Sequence, residues 1–288
     1  MPPPLPPRVG APVAATVADL VGAGTTAVVL LGSQSRGDAH EHSDVDLVAL
    51  GNGPEYIHRS LDGLLMSVSW RTADAVRTSF ADPKLAGSTV PGWRAAVILH
   101  DAEGAANELS AEAGAWRWSD IEGPRREWIA TQMTGRAEVV QRLVGSLAAG
   151  RRTSAAVTRN RLATRLPVVA AVHHRILYDS EHRLFDLVAD AMGAAWRRSQ
   201  DAALALRGEQ LADSCRAALG LYAQLAPLVE PYLEAEELTV VRSAANLARH
   251  AARHVEDDAG GRPEGLETTP GRGVLRADHQ PHPQRAQS

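Results

Sequence analysis

The chain has 288 residues, 44% of them hydrophobic, and its 30 basic and 34 acidic side chains leave a formal charge of −4. That length suits one large or two modest domains, and the charge balance excludes the basic footprint of a dedicated nucleic-acid binder. A single cysteine, Cys215, excludes an internal disulfide and fits a reducing, cytoplasmic setting, and no apolar run is long enough for a membrane span.

Residues 1–12 form a proline-rich lead, read as extended and loosely ordered. They have neither the charged start nor the apolar stretch of a signal peptide. Val13 to Val21 has the spacing of a first helix, and Thr25 to Leu31 reads as a first, buried strand. A short helix is expected over Ser33 to Asp38 and a second strand over Val45 to Gly51. Tyr56 to Leu61 and Leu64 to Trp70 flank Asp62-Gly63, a pair that favours a two-residue hairpin turn. Thr72 is placed to cap a helix through Phe80. Ala95 to His100 reads as a further strand, followed by a helix from about Glu103 to Ala113.

The composition then changes. Residues 13–119 read as a mixed α/β domain and 120–256 as an all-α bundle, an α+β chain overall. Bundle helices are expected over Arg125–Ala148, Ser154–Tyr178, Leu184–Ala191, Ala194–Leu206, Glu209–Leu225 and Leu238–His254, with a kink at Pro167. Residues 257–288, rich in Gly, Pro, Arg, His and Gln, read as a disordered tail.

The chemistry concentrates in Gly32-Ser33-Gln34-Ser35-Arg36-Gly37 and Ser43-Asp44-Val45-Asp46-Leu47. A strand, a small-residue turn and a helix start leave backbone N–H groups free for a phosphate. Asp44 and Asp46 alternate with apolar residues, so on a strand both carboxylates share one face. Two carboxylates beside a phosphate cradle suit magnesium bound to a nucleoside triphosphate. Gly32, Ser33, Arg36 and Ser43 are the expected nucleotide contacts, and Asp44 and Asp46 the metal ligands.

These motifs resemble the signature of the nucleotidyltransferase superfamily that includes DNA polymerase β. The hairpin Asp62 to Trp70 and the patch Val172-His173-His174-Arg175-Ile176-Leu177-Tyr178 narrow the resemblance to the kanamycin nucleotidyltransferase family. Members adenylylate a hydroxyl of an aminoglycoside. The resemblance implies a polymerase β-like mixed sheet followed by helices, Mg²⁺ as cofactor, ATP or another NTP as donor, a small-molecule hydroxyl as acceptor, and a homodimer. It also implies a third carboxylate on the hairpin strand, where this chain has Ser67, and a general base on the first bundle helix, where it has Glu138 followed one turn later by Arg142.

Some readings stay open at this level. Glu138 and Arg142 equally suit a surface i,i+4 pair. With serine at position 67, either Glu138 alone activates the acceptor, or activity is weakened and the chain is a nucleotide-binding regulator. Adenylylation of a protein partner, as in toxin–antitoxin pairs, is a third reading. His173 and His174 are expected to pack the bundle, His40 and His42 to be solvated, Trp116, Trp118 and Trp128 to pack the domain junction, and Asp101 to cap the following helix.

Overall fold

Strands β1 (Ala27–Leu31) and β2 (Val45–Leu50) are apolar over most of their length, and this places them inside the sheet. They pair antiparallel, with Leu31 opposite Asp46. The hairpin of β3 (Tyr56–Leu61) and β4 (Leu64–Arg71) adds on one side through a parallel β2–β4 pairing, and β5 (Val97–Asp101) closes the other edge. The order β3-β4-β2-β1-β5 makes a mixed five-stranded sheet. In the hairpin Leu61 faces Leu64, and Gly63 takes a φ of 77°, the left-handed value such a turn requires. This computed structural model describes Leu5 and residues 7–61 and 63–253. Asp62, the proline-rich residues 1–4 and 6, and the tail from 254 onward lie outside the described residues.

Alternation along the strands builds two faces. Val28, Leu30, Val45, Leu47, Met66 and Val68 pack with Val9, Val13 and Leu20 of helix α1 (Pro7–Gly22). Packing of Val9 draws the helix back to Pro7, so residues 7–12 are helical rather than part of a loose lead. The opposite face, with Val29, Val48 and Leu50, is covered by α3 (Ala73–Ala81), α4 (Pro83–Arg94) and α5 (Ala105–Ala115), and its core runs without a break into the bundle. Thr72 caps α3 as expected, accepting from Ala75 N at 3.1 Å. Asp101 caps α5 through Asn107 N at 3.0 Å. Helix α4 fills a stretch to which the sequence pattern assigns no element, and Asp82-Pro83 starts it with both a capping side chain and a proline at the first position.

The bundle comprises α6 (Glu122–Ala148), α7 (Arg152–His173), α8 (Glu181–Met192), α9 (Ala194–Ala203), α10 (Leu211–Val229) and α11 (Ala235–Arg253). Trp116 and Trp118 are buried where the two halves meet. Helix α7 continues past Pro167 but ends at His173, five residues short of the expected Tyr178. Arg175 adopts a left-handed φ of 58° there and ends the helix. The buried Arg125 guanidinium holds that end, donating to the carbonyls of Val172 and His173 at 3.2 Å and lying over the Tyr232 ring. The chain beyond it docks on α4, where Tyr178 N donates to Gly87 O at 2.8 Å.

Candidate functional site

The site is built around one carboxylate. Asp46 is the second residue of β2 and faces the side of the sheet covered by α3–α5 and the bundle. Its parallel neighbour is Ser67 on β4, 4% exposed, whose hydroxyl donates to Asp46 Oδ1 at 2.7 Å. On its other side the chain leaves β1 and turns at Gly32, φ 71°, into α2 (Gly32–Arg36). A β-carbon at Gly32 would collide with Asp46 Oδ2, so glycine here is a condition for the carboxylate to lie against the turn. Leu31 stands at the N-cap of α2 and offers no side-chain acceptor. Ser35 Oγ donates to Gly32 O at 2.9 Å and braces the turn from below.

Asp44 lies just before β2, exposed at the rim. Burial pushes the Asp46 carboxyl above its ordinary range, and the neighbouring charge of Asp44 adds to this, against the opposing pull of the Ser67 hydroxyl and Arg36. A half-buried carboxylate with a second carboxylate at the rim beside it is a poor arrangement for an empty site and a good one for a cation. The donor set suits one divalent ion, for which Asp44 and Asp46 could supply two ligands and phosphate oxygens and water the rest. It does not supply a third carboxylate, and no group of three or more His, Cys, Asp or Glu with metal-binding geometry occurs among the described residues. Replacing Ser67 with aspartate should add that carboxylate directly against Asp46. The metal-free variant should melt lower than wild type, and magnesium should bind it about tenfold more tightly, measured by thermal shift against magnesium concentration.

Other expected contacts are placed differently. Arg36 does not stand free for a phosphate. Its side chain is 16% exposed, with Nη1 donating to Asp179 O at 3.0 Å and Nε bonded to Asp38 Oδ2 at 3.1 Å. It therefore ties the Gly32 turn to the loop between α7 and α8, and no sequence pattern signals a contact between residues 143 positions apart. Ser43 Oγ accepts from His40 N at 2.9 Å and holds the turn leading into Asp44. His40 and His42 are exposed. Glu138 is 74% exposed on α6 and ion-paired with Arg142, so within this chain it faces solvent rather than joining the Asp46 cluster. His173 packs against Tyr232, with ring centroids 5.7 Å apart, and burial lowers its pKa to about 4.

Residues 14–87 match the family model of the nucleotidyltransferase domain. The matched stretch runs from α1 into the first turns of α4 and contains Gly32, Asp44, Asp46 and Ser67. A nucleotidyltransferase domain implies a nucleoside triphosphate as substrate and supports assignment as a transferase. The bundle lies outside the match. No curated protein matches the chain. A solved nucleotidyltransferase-like protein from Exiguobacterium sibiricum 255-15 is similar at 13% identity, covering 88% of this chain and 94% of its own, with a TM-score of 0.48. No helix of the described residues is long and apolar enough to cross a membrane.

Proposed function

We propose that the chain transfers a nucleoside monophosphate, AMP from ATP as first candidate, to a hydroxyl of a small molecule. An aminoglycoside-like sugar is the acceptor class that the family resemblance implies. The reading rests on the half-buried Asp46 carboxylate, packed against the Gly32 turn and accepting from Ser67 within the nucleotidyltransferase domain. Asp44 and Asp46 would hold magnesium together with the triphosphate, and the ion would supply charge neutralisation on the phosphates. The free N–H groups at Gly32 and Ser33 would receive phosphate oxygens. The acceptor oxygen attacks the α-phosphorus, the bond to pyrophosphate breaks, and the hydroxyl proton passes to a base.

Glu138 serves as that base only if it reaches the cleft of a second copy, because in its own chain it faces solvent. A twofold homodimer offers such a path. Glu138→Gln keeps the shape and removes the base, so turnover should fall at least about tenfold at unchanged nucleotide affinity. Unchanged turnover would leave Glu138 as a surface partner of Arg142.

The Ser67–Asp46 hydrogen bond favours a second reading, nucleotide binding without turnover, because a neutral hydroxyl occupies the third-carboxylate position. Pyrophosphate release measured with ATP, magnesium and a panel of hydroxyl acceptors separates the two. The transferase reading requires release with at least one acceptor, absent in Asp44→Asn and Asp46→Asn. Magnesium–ATP binding with no release from any acceptor supports the second reading.

A further inference from the structure

A second concentration of charge lies between α4, α6 and α7. Trp128, Gln132 and Arg136 follow one another at four-residue spacing along one face of α6. Arg165 and Val168 face them from α7, and Lys84, the only lysine in the chain, closes the pocket from the start of α4. Together they line a cavity of about 220 Å³ that shares no residue with the Asp46 site and includes no carboxylate.

The cations here converge on one pocket without a carboxylate among them. Elsewhere in the bundle several arginines do meet carboxylates, among them Arg125 with Glu122, Arg197 with Asp190, Arg216 with Asp213 and Arg242 with Glu230. Among the described residues no ion pair reaches Lys84, Arg136 or Arg165. Asp82, the nearest acid in sequence, uses its carboxylate to cap α4, accepting from Lys84 N at 2.8 Å. Arg136 has one recorded partner, the Gln132 side-chain oxygen at 2.8 Å, and its Nε is buried with no acceptor. Burial, and then the charge of Arg165, both lower its pKa. A buried guanidinium donor with nothing to donate to, beside a second guanidinium, is costly unless something anionic completes it.

We propose that this pocket binds the phosphate of a small phosphorylated molecule. Arg136 and Arg165 present planar forks that match phosphate oxygens, and Lys84 adds a mobile point charge at the rim. The Trp128 ring supplies an apolar wall for whatever carries the phosphate. The cavity, about 220 Å³, has room for a phosphate group and the adjoining part of its carrier. A polycationic aminoglycoside is the wrong charge for it. The proposal does not depend on the transferase reading.

The test titrates the full chain carrying Asp46→Asn, without divalent metal, with inorganic phosphate, pyrophosphate and glucose 6-phosphate. The Asp46→Asn background keeps the two sites separable, since failure of the transferase reading leaves this result untouched. Saturable binding of at least one probe is expected, weakened about tenfold or more by Arg136→Gln and by Arg165→Gln. Pyrophosphate as the tightest probe identifies the source as the product of nucleotidyl transfer, and glucose 6-phosphate as the tightest identifies a phosphorylated carrier. Arg136→Gln should also raise the melting temperature of the ligand-free protein and abolish the rise that phosphate produces in the parent. Arg165 is exposed, so Arg165→Gln gives a folded variant even if Arg136→Gln does not. Absence of saturable binding at millimolar concentrations, equal binding in both variants, or tighter arginine-dependent binding of a single-stranded oligonucleotide would overturn the proposal.

Discussion

Asp46→Asn should eliminate magnesium-dependent nucleotidyl transfer, a loss on the order of 10³-fold or more, without destabilising the protein. The substitution keeps shape and an acceptor oxygen for the Ser67 hydroxyl, and it removes a charge that burial already disfavours. The folded state raises the Asp46 pKa above its ordinary value of 3.8, so folding favours the protonated carboxyl. That contribution is fully present below 3.8 and is lost as pH rises through the raised value. Metal-free wild type should therefore lose stability across that interval relative to Asp46→Asn, and magnesium at neutral pH should restore it. Thermal melts of both proteins over pH, with and without magnesium, make the check. A variant that melts well below wild type in the absence of metal would contradict the account.

Gly32→Ala should be among the most damaging single-methyl changes in the sheet half, and the one that strikes the site itself. Two effects act together. Alanine at φ 71° carries left-handed strain of about 1–2 kcal/mol, and its β-carbon would meet the Asp46 carboxylate. Either Asp46 swings out, breaking its bond with Ser67, or the turn opens. A total loss of about 2–3 kcal/mol is expected, read as a lower urea midpoint at constant slope, together with loss of nucleotide binding. Gly63→Ala shares the left-handed φ but meets nothing within 4 Å, so it controls for strain alone.

The elements that the sequence made legible are those whose causes are local. Apolar runs placed β1 and β2, Asp62-Gly63 placed the hairpin and its register, and Thr72 placed a cap. The pairing of Ser67 with Asp46 also followed, because alternation on β2 and β4 sets which side chains share a face. What could not be read depended on distant packing. The early start of α1 comes from Val9 against the sheet, and the early end of α7 from Arg125 and the left-handed Arg175. Arg36, read as a phosphate ligand because of its spacing, was claimed by a loop far along the chain. The solvent-facing side of Glu138 was one of two readings of its helix, and spacing to Arg142 alone did not choose between them.

The link from Arg36 to Asp179 makes the Gly32 turn and the bundle a joint inheritance. Tyr178 seats its ring where any side chain larger than hydrogen at residue 87 would intrude, its Cε1 standing 2.9 Å from a β-carbon there. A graft that exchanged the helical half for that of another protein would need to bring its own tyrosine onto Gly87 and its own carbonyl to Arg36. Without both, the donor turn would lose its anchor even though every residue of the Gly32–Asp46–Ser67 cluster was retained. Recombination between such proteins would thus be tolerated along the half-exposed edge strand β3 far better than at the boundary between α5 and α6, where modularity on paper is greatest.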